Sequence, residues 1–347
     1  MTTLSRRAGS ALVAGILGSG FLAGCSTGPT EASDTSQQES TTQVDAHAFP
    51  VTIEHAFGET TIEEEPTRVA TLGWTDQDVA LALGVPPVGA TAITWGGNTA
   101  GSTEWYDDEL EELGAEQATR YSDADGAPVD EIAKLAPDLI LATNSGLTAG
   151  EYKKLSRIAP VVAYPEAPWV TSWQDSLDMV GEALGRSELA DEIEGETQAS
   201  IDAAAEEHPE IQGKTFIYAA LSTTDTSKVD YYTPEDLRPQ LLTEIGMKNA
   251  PVIEKLSEKG EFYGTVSAER AAELESDVFI TYAEKKSDLE AYTEDPLLGQ
   301  IPAIESGHVL ASTNKADGLG FSSPSPLSIP WAMDNFVPQI AEAVAGT

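Results

Sequence analysis

The 347-residue chain carries one cysteine, Cys25, and four histidines, His47, His55, His208 and His308. A single thiol closes no internal disulfide. The histidines are scattered along the chain, so neither a bare-metal site nor a histidine-based dyad finds its parts. There is no Gly-Lys-Ser/Thr phosphate loop, no paired-histidine zinc helix and no Gly-x-Ser-x-Gly elbow. "GGNTAGS", residues 96–102, is Gly-rich but lacks the strand–turn–helix setting of a phosphate loop. Catalysis is therefore poorly supported. What the chain does hold is aromatic surface, with six Trp and ten Tyr. Such side chains offer large flat areas and keep a hydrogen-bond donor, which suits recognition more than bond-making.

Elements that could position such residues repeat. "DEIAKLAPDLIL" (residues 130–141) and "ERAAELESDVFI" (residues 269–280) align without a gap, 139 residues apart. Each opens on an acid, has Leu five residues on (Leu135, Leu274) and Asp eight residues on (Asp138, Asp277), then enters an apolar run. Both read as a short amphipathic helix handing over to a buried strand, so one αβ unit occurs twice. "RVATL", "PVGAT", "PVVAY", "KTFIYAAL" and "HVLAS" read as further strands, alternating with "TDQDVALALG", "EYKKLSRIA" and "EDLRPQLLTEIG" as helices. That alternation predicts parallel sheets covered on both faces, with ligands at the carboxyl ends of the strands. Between the halves, Leu189, Ile193, Thr197, Ile201 and Ala205 recur every four residues, which predicts one long connecting helix over 187–209. About twenty helical residues reach ~30 Å, enough to join two lobes.

The N-terminus has another purpose. Arg6 and Arg7 precede an apolar run, residues 11–24, too short to span a bilayer comfortably. Charged start, apolar middle and small-residue end describe an export signal. Leu22-Ala23-Gly24-Cys25 resembles the bacterial lipobox. That resemblance implies cleavage before Cys25 and a diacylglycerol on its sulfur, with further acylation giving stable anchoring. Residues 25–48, rich in Ser, Thr, Gln and acids, read as a disordered linker. Removal of residues 1–24 would take the net charge from −39 to −41. So acidic a surface excludes nucleic acid and direct docking on anionic lipid, and reads mainly as a solubility adaptation.

From Phe49 onward the chain resembles the substrate-binding lipoproteins of iron–siderophore ABC importers. The resemblance rests on an ordered set: a hairpin centred on Gly58, Pro66-Thr67-Arg68-Val69, "LALGV", "LAPDLILA", "LSRIAPVVAY", "ALGR", "YTPEDLR", "VSAER" and "SPLSIPWAMD". It covers Phe49 to about Ala345. It implies an α/β fold of two Rossmann-like αβ lobes joined by a single long helix, the class III periplasmic binding protein architecture. The lobes would be residues 49–186 and 210–347. It also implies a monomer that binds a ferric siderophore as ligand, has no resident cofactor or metal, and serves a two-subunit ABC permease at the outer face of the cytoplasmic membrane.

In that family a carboxylate on each lobe meets the permease; Asp130 and Glu269 occupy the matching positions, and Glu131, beside Asp130, is the alternative in the first lobe. Acids at helix N-termini are also favoured by the macrodipole, and both readings stay open. A cleft for a metal chelate needs aromatic walls and a few polar pins. Candidates at strand ends or in the loops that follow are Trp74, Trp95, Trp105 and Ser145 in the first half, and Tyr231, Tyr232, Arg238, Tyr263 and Tyr282 in the second. Arg238 is one of six arginines beyond Cys25; it either pins a chelate oxygen or holds Asp236. Trp169 and Trp173 are assigned to packing between lobes. Few cations and a large negative field favour a neutral ferric hydroxamate slightly over a trianionic catecholate. Haem or a corrinoid on the same scaffold is the nearest alternative, with Tyr231, Tyr232 or Tyr263 as an axial ligand. A surface lipoprotein that acts as an adhesin or partner receptor is the alternative of another class.

Overall fold

The computed structural model describes residues 40–346. The expected export signal, the expected lipidation site Cys25 and the first part of the expected linker lie outside the described residues. Residues 40–48 correct the linker's expected extent, because they are held on the first lobe. Thr41 N donates to Gly84 O (2.9 Å) and Asp45 N to Gly185 O (2.8 Å). Arg186 supplies the reason. Its side chain is fully buried, and it donates to Thr42 Oγ1 (2.7 Å), Thr42 O (3.3 Å), Glu65 Oε1 (3.0 Å), Ser40 Oγ and Leu184 O. A buried guanidinium must place its donors, and this polar strap offers the oxygens.

An antiparallel hairpin of β1 (Val51–His55) and β2 (Gly58–Ile62) follows. Gly58, at φ +124°, makes the turn a side chain would strain. The first lobe is a five-stranded parallel sheet of β3 (Val69–Thr71), β4 (Gly89–Thr91), β5 (Thr119–Tyr121), β6 (Leu139–Ala142) and β7 (Val161–Ala163), in the order β5-β4-β3-β6-β7. Its connecting helices include α1 (Asp76–Ala82), α2 (Glu104–Leu113), α3 (Val129–Lys134), α4 (Ala149–Leu155) and α5 (Trp173–Leu184).

The second lobe contains β8 (Thr215–Ala220), β9 (Lys228–Tyr232), β10 (Lys248–Asn249), β11 (Tyr263–Ser267), β12 (Val278–Tyr282) and β13 (Val309–Ser312), ordered β11-β9-β8-β12-β13 with β10 beside β8. This sheet is mixed, not parallel throughout: β9 runs antiparallel to both β8 and β11. The chain between β8 and β9, residues 221–227, is too short for a crossover, so a reversal is the available connection.

The repeated Asp does the same work in both lobes. Asp138 accepts from Thr67 N (2.9 Å), Thr67 Oγ1 (2.9 Å) and Arg68 N (2.8 Å) just before β3. Asp277 accepts from Thr215 N and Thr215 Oγ1, both at 2.7 Å, at the start of β8. Each carboxylate thus pins the central strand of its sheet to the neighbouring strand.

α6 (Ser187–Glu207) leads from the first lobe toward the second, burying Ala190, Thr197, Ile201 and Ala204. It is not the lobes' sole tie. Helices Lys315–Ser322 and Ser328–Asn335 return against the first lobe, where Leu319 joins a buried cluster with Leu81, Ile93, Trp105 and Tyr106. Ser325 Oγ donates to Asp78 Oδ2 (2.9 Å), and Trp173 Nε1 donates to Glu244 Oε2 (3.2 Å). Buried contacts of this kind hold the two sheets in a fixed relation.

Candidate ligand-binding cleft

A cleft of about 600 Å³ lies where loops after the strands of the two sheets face each other. The first lobe contributes Trp74 after β3, Asn144, Ser145 and Gly146 after β6, and Trp169 after β7. The second contributes Asp236, Arg238 and Phe262. This is the size range of small-ligand sites, with apolar walls and few polar groups.

The first-lobe floor is built by close backbone approach. Gly73, at φ +78°, has room for no side chain, since a Cβ there would lie 2.3 Å from Asn144 O. The fully buried Asp76, at the start of α1, sets the β6 loop. Its carboxylate accepts from Thr143 N (2.8 Å), Thr143 Oγ1 (2.8 Å) and Asn144 N (3.3 Å). Burial pushes Asp76 up to about 6, with those bonds opposing the rise. Ser145 lines the cleft, but its hydroxyl donates to Ala142 O (3.0 Å) and accepts from Leu147 N (3.4 Å).

In the second lobe, Asp236 caps helix Leu237–Glu244 by accepting from Arg238 N (2.9 Å). The same carboxylate takes Arg238 Nη1 at 2.7 and 2.9 Å. Burial pushes the Asp236 carboxyl up, and the Arg238 guanidinium opposes the rise. Arg238 Nε donates to Tyr282 OH (3.0 Å), whose oxygen also bonds Ser322 Oγ. The guanidinium lies 3.9 Å from the Tyr232 ring centroid, a close cation–π contact. No described residue takes a bond from Arg238 Nη2, and the side chain is 20% exposed. The guanidinium is thus fixed on three sides with a donor left over. Of the two readings of Arg238, the structure shows the hold on Asp236; the same side chain lines the cleft.

Of the other sequence candidates, Trp74 lines the cleft, while Tyr232 and Tyr282 stand behind Arg238 as supports. Trp95 packs edge-on against Tyr282, ring centroids 5.0 Å apart. Three candidates lie elsewhere. Trp105 is buried between lobes, donating to Asp78 Oδ2 (2.8 Å) and tilted on Trp331. Tyr231 is buried in the second lobe's core, its hydroxyl on Leu256 O (2.9 Å). Tyr263 is 49% exposed on the edge strand β11, outside the cleft lining. Alternation explains Tyr231: it and its β9 neighbour Tyr232 point to opposite faces, one into the core and the other to Arg238. Trp173 packs the lobes together as expected from sequence, but Trp169 does not: it lines the cleft. Phe262 was missed, and only its place beside the "YTPEDLR" loop in the fold could have singled it out.

Asp130 and Glu131 are exposed in the first turn of α3, and Glu269 is exposed in the corresponding turn of the second lobe. Among the described residues no helix is long and apolar enough to cross a membrane.

A family model described as periplasmic binding protein matches residues 69–316. The chain belongs to this family. It is similar to PiaA of Streptococcus pneumoniae TIGR4, solved in complex with ferrichrome, at 35% identity over 86% of this chain and 99% of that one, with a TM-score of 0.80. A periplasmic solute binding protein from Mycobacterium smegmatis str. MC2 155 is 30% identical over 85% of this chain and 98% of its own, with a TM-score of 0.71. Among curated proteins, the ferric enterobactin-binding periplasmic protein FepB of Escherichia coli O6:H1 is 25% identical over 278 residues, 77% of this chain and 85% of FepB. The two-lobed class III fold expected from sequence is the observed one, and the chain is a solute-binding protein, not an enzyme.

Proposed function

We propose that this periplasmic binding protein captures an intact ferric siderophore of hydroxamate type outside the cell and presents it to an ABC permease. The observation that carries the reading is the charge of the cleft. Among its described lining residues Arg238 is the one cation, already paired with Asp236, and the lining also holds Asp123 and Glu151. A trianionic chelate finds no surplus of positive charge there, whereas a neutral ferric trihydroxamate needs only aromatic walls and a donor for a chelate oxygen. The similarity to a ferrichrome complex supports the same ligand class. None of the described lining residues is a His, Tyr or Met, which disfavours haem, whose iron needs an axial ligand. Titration with ferrichrome, ferrioxamine B and a ferric tricatecholate, followed by tryptophan quenching, tests the preference. Tighter binding of either hydroxamate is expected; tighter binding of the catecholate contradicts it.

The remaining parts of the reading concern delivery. Cys25 carries the lipid that keeps the protein at the membrane's outer face, and a Cys25→Ala chain should be released from the membrane fraction. Asp130, Glu131 and Glu269 meet basic pockets on the permease dimer, one lobe per subunit. Their exposure and equivalent placement in the two lobes support this.

A further inference from the structure

The loop between β7 and α5 has features that neither packing nor capping explains. Trp169 adopts φ +65°, a left-handed conformation that bulky residues rarely accept. Its indole lies against the backbone of Gly146 across the cleft floor: a Cβ at Gly146 would meet Trp169 Cζ2 and Nε1 at 2.9 Å and Cε2 at 3.1 Å. Gly146 has no left-handed φ of its own, so turn geometry does not demand a glycine there. The close approach of the ring does.

The loop is tied at its ends, where Ala56 N donates to Tyr164 O (2.9 Å) and Thr171 Oγ1 to Thr143 O (2.6 Å). Between those ties it separates two cavities. The cleft lies on the Trp169 side, and a second cavity of about 580 Å³ lies on the other, lined by Pro165, Glu166, Ala167 and Val170 of the same loop. The loop is therefore not packed solidly from behind. On the cleft side the indole is seated on the bare glycine.

The geometry points to Gly146 as a positioning residue for ligand binding: its missing side chain sets the depth of the Trp169 wall, and hence the width of ligand the cleft accepts. This rests on the siderophore reading for its ligand but not for its geometry. Backbone strain held by surrounding structure is a recurrent device where a wall must be preset.

The test uses the mature chain with Gly146→Ala, Trp169→Ala and the double substitution. Ferrichrome affinity is measured by calorimetry, and acrylamide quenching is measured without ligand against a Trp169→Phe background. Gly146→Ala should weaken ferrichrome binding at least about tenfold, raise the quenching of the Trp169 component and leave the melting temperature nearly unchanged. The double variant should bind no worse than Trp169→Ala alone, because both act through one ring. Unchanged quenching in Gly146→Ala overturns the inference, as does a penalty that persists in full without Trp169. A wild-type chain that ignores ferrichrome refutes the functional reading instead, and the ligand-free quenching then still decides the role of Gly146.

Discussion

In the proposed binding mode, Arg238 is the residue on which ligand recognition turns. It is stacked on Tyr232, paired with Asp236 and steadied by Tyr282, so its planar fork is preorganised. A charged donor to a chelate oxygen contributes about 1.5–3 kcal/mol, which is roughly 10- to 150-fold in affinity. Arg238→Gln should weaken ferrichrome binding by about that factor, and Arg238→Lys should restore little, since an ammonium neither forks nor stacks. Paired with Asp236→Asn, the Gln variant should keep a near-native melting temperature; an unchanged dissociation constant in that double variant would remove Arg238 from the site. At this scale the sequence was half legible. Trp74, Ser145 and Arg238 were readable because each follows an identifiable strand or motif. Trp105 and Tyr231 were not separable from cleft residues, since an aromatic side chain serves core and cleft equally well until the strand's facing is known. Trp169 escaped because its role depends on Gly146, a contact between two loops distant in sequence.

Among the elements, α1 carries the least comfortable charges. Asp76 and Asp78 are both buried; burial pushes Asp76 up to about 6 and Asp78 up to about 7, Trp105 and Ser325 opposing the rise at Asp78. Their ordinary value, 3.8, governs the unfolded chain. Between these limits the folded protein binds more protons than the unfolded one, so this part of stability falls as pH rises from about 4 to about 7. The melting temperature should therefore be several degrees higher at pH 5 than at pH 8, and Asp78→Asn should flatten the difference. A melting temperature that rises steadily from pH 5 to 8 in the wild type would contradict the assignment. The elements themselves were largely readable from alternation and from the repeat, including the matched positions of Asp138 and Asp277, though not the strand pinning they perform. The antiparallel β9 was not, because the sequence pattern of a buried strand does not state its direction. Nor was the strap at residues 40–48, whose Ser and Thr look like linker until the buried Arg186 claims their oxygens.

For the whole molecule, two like-built lobes present exposed acids at matching turns, Asp130 and Glu131 on one and Glu269 on the other. Alanine at all three should leave siderophore affinity within about twofold and abolish transport into cells that depend on this protein. Loss of affinity together with transport would place those acids in the fold or the cleft instead of at the docking face. The two-lobe plan was legible from a 139-residue repeat and one helical stripe. The second tie between lobes, through Ser325 and Asp78, joins residues 247 positions apart and leaves no local signal. The central claim is that the cleft takes up an iron complex whole. Equilibrium dialysis of the mature chain against radio-iron ferrichrome, with iron and siderophore assayed separately, tests this most directly. One iron and one siderophore retained per chain is the expected result; no retention, or iron retained without siderophore, would contradict it.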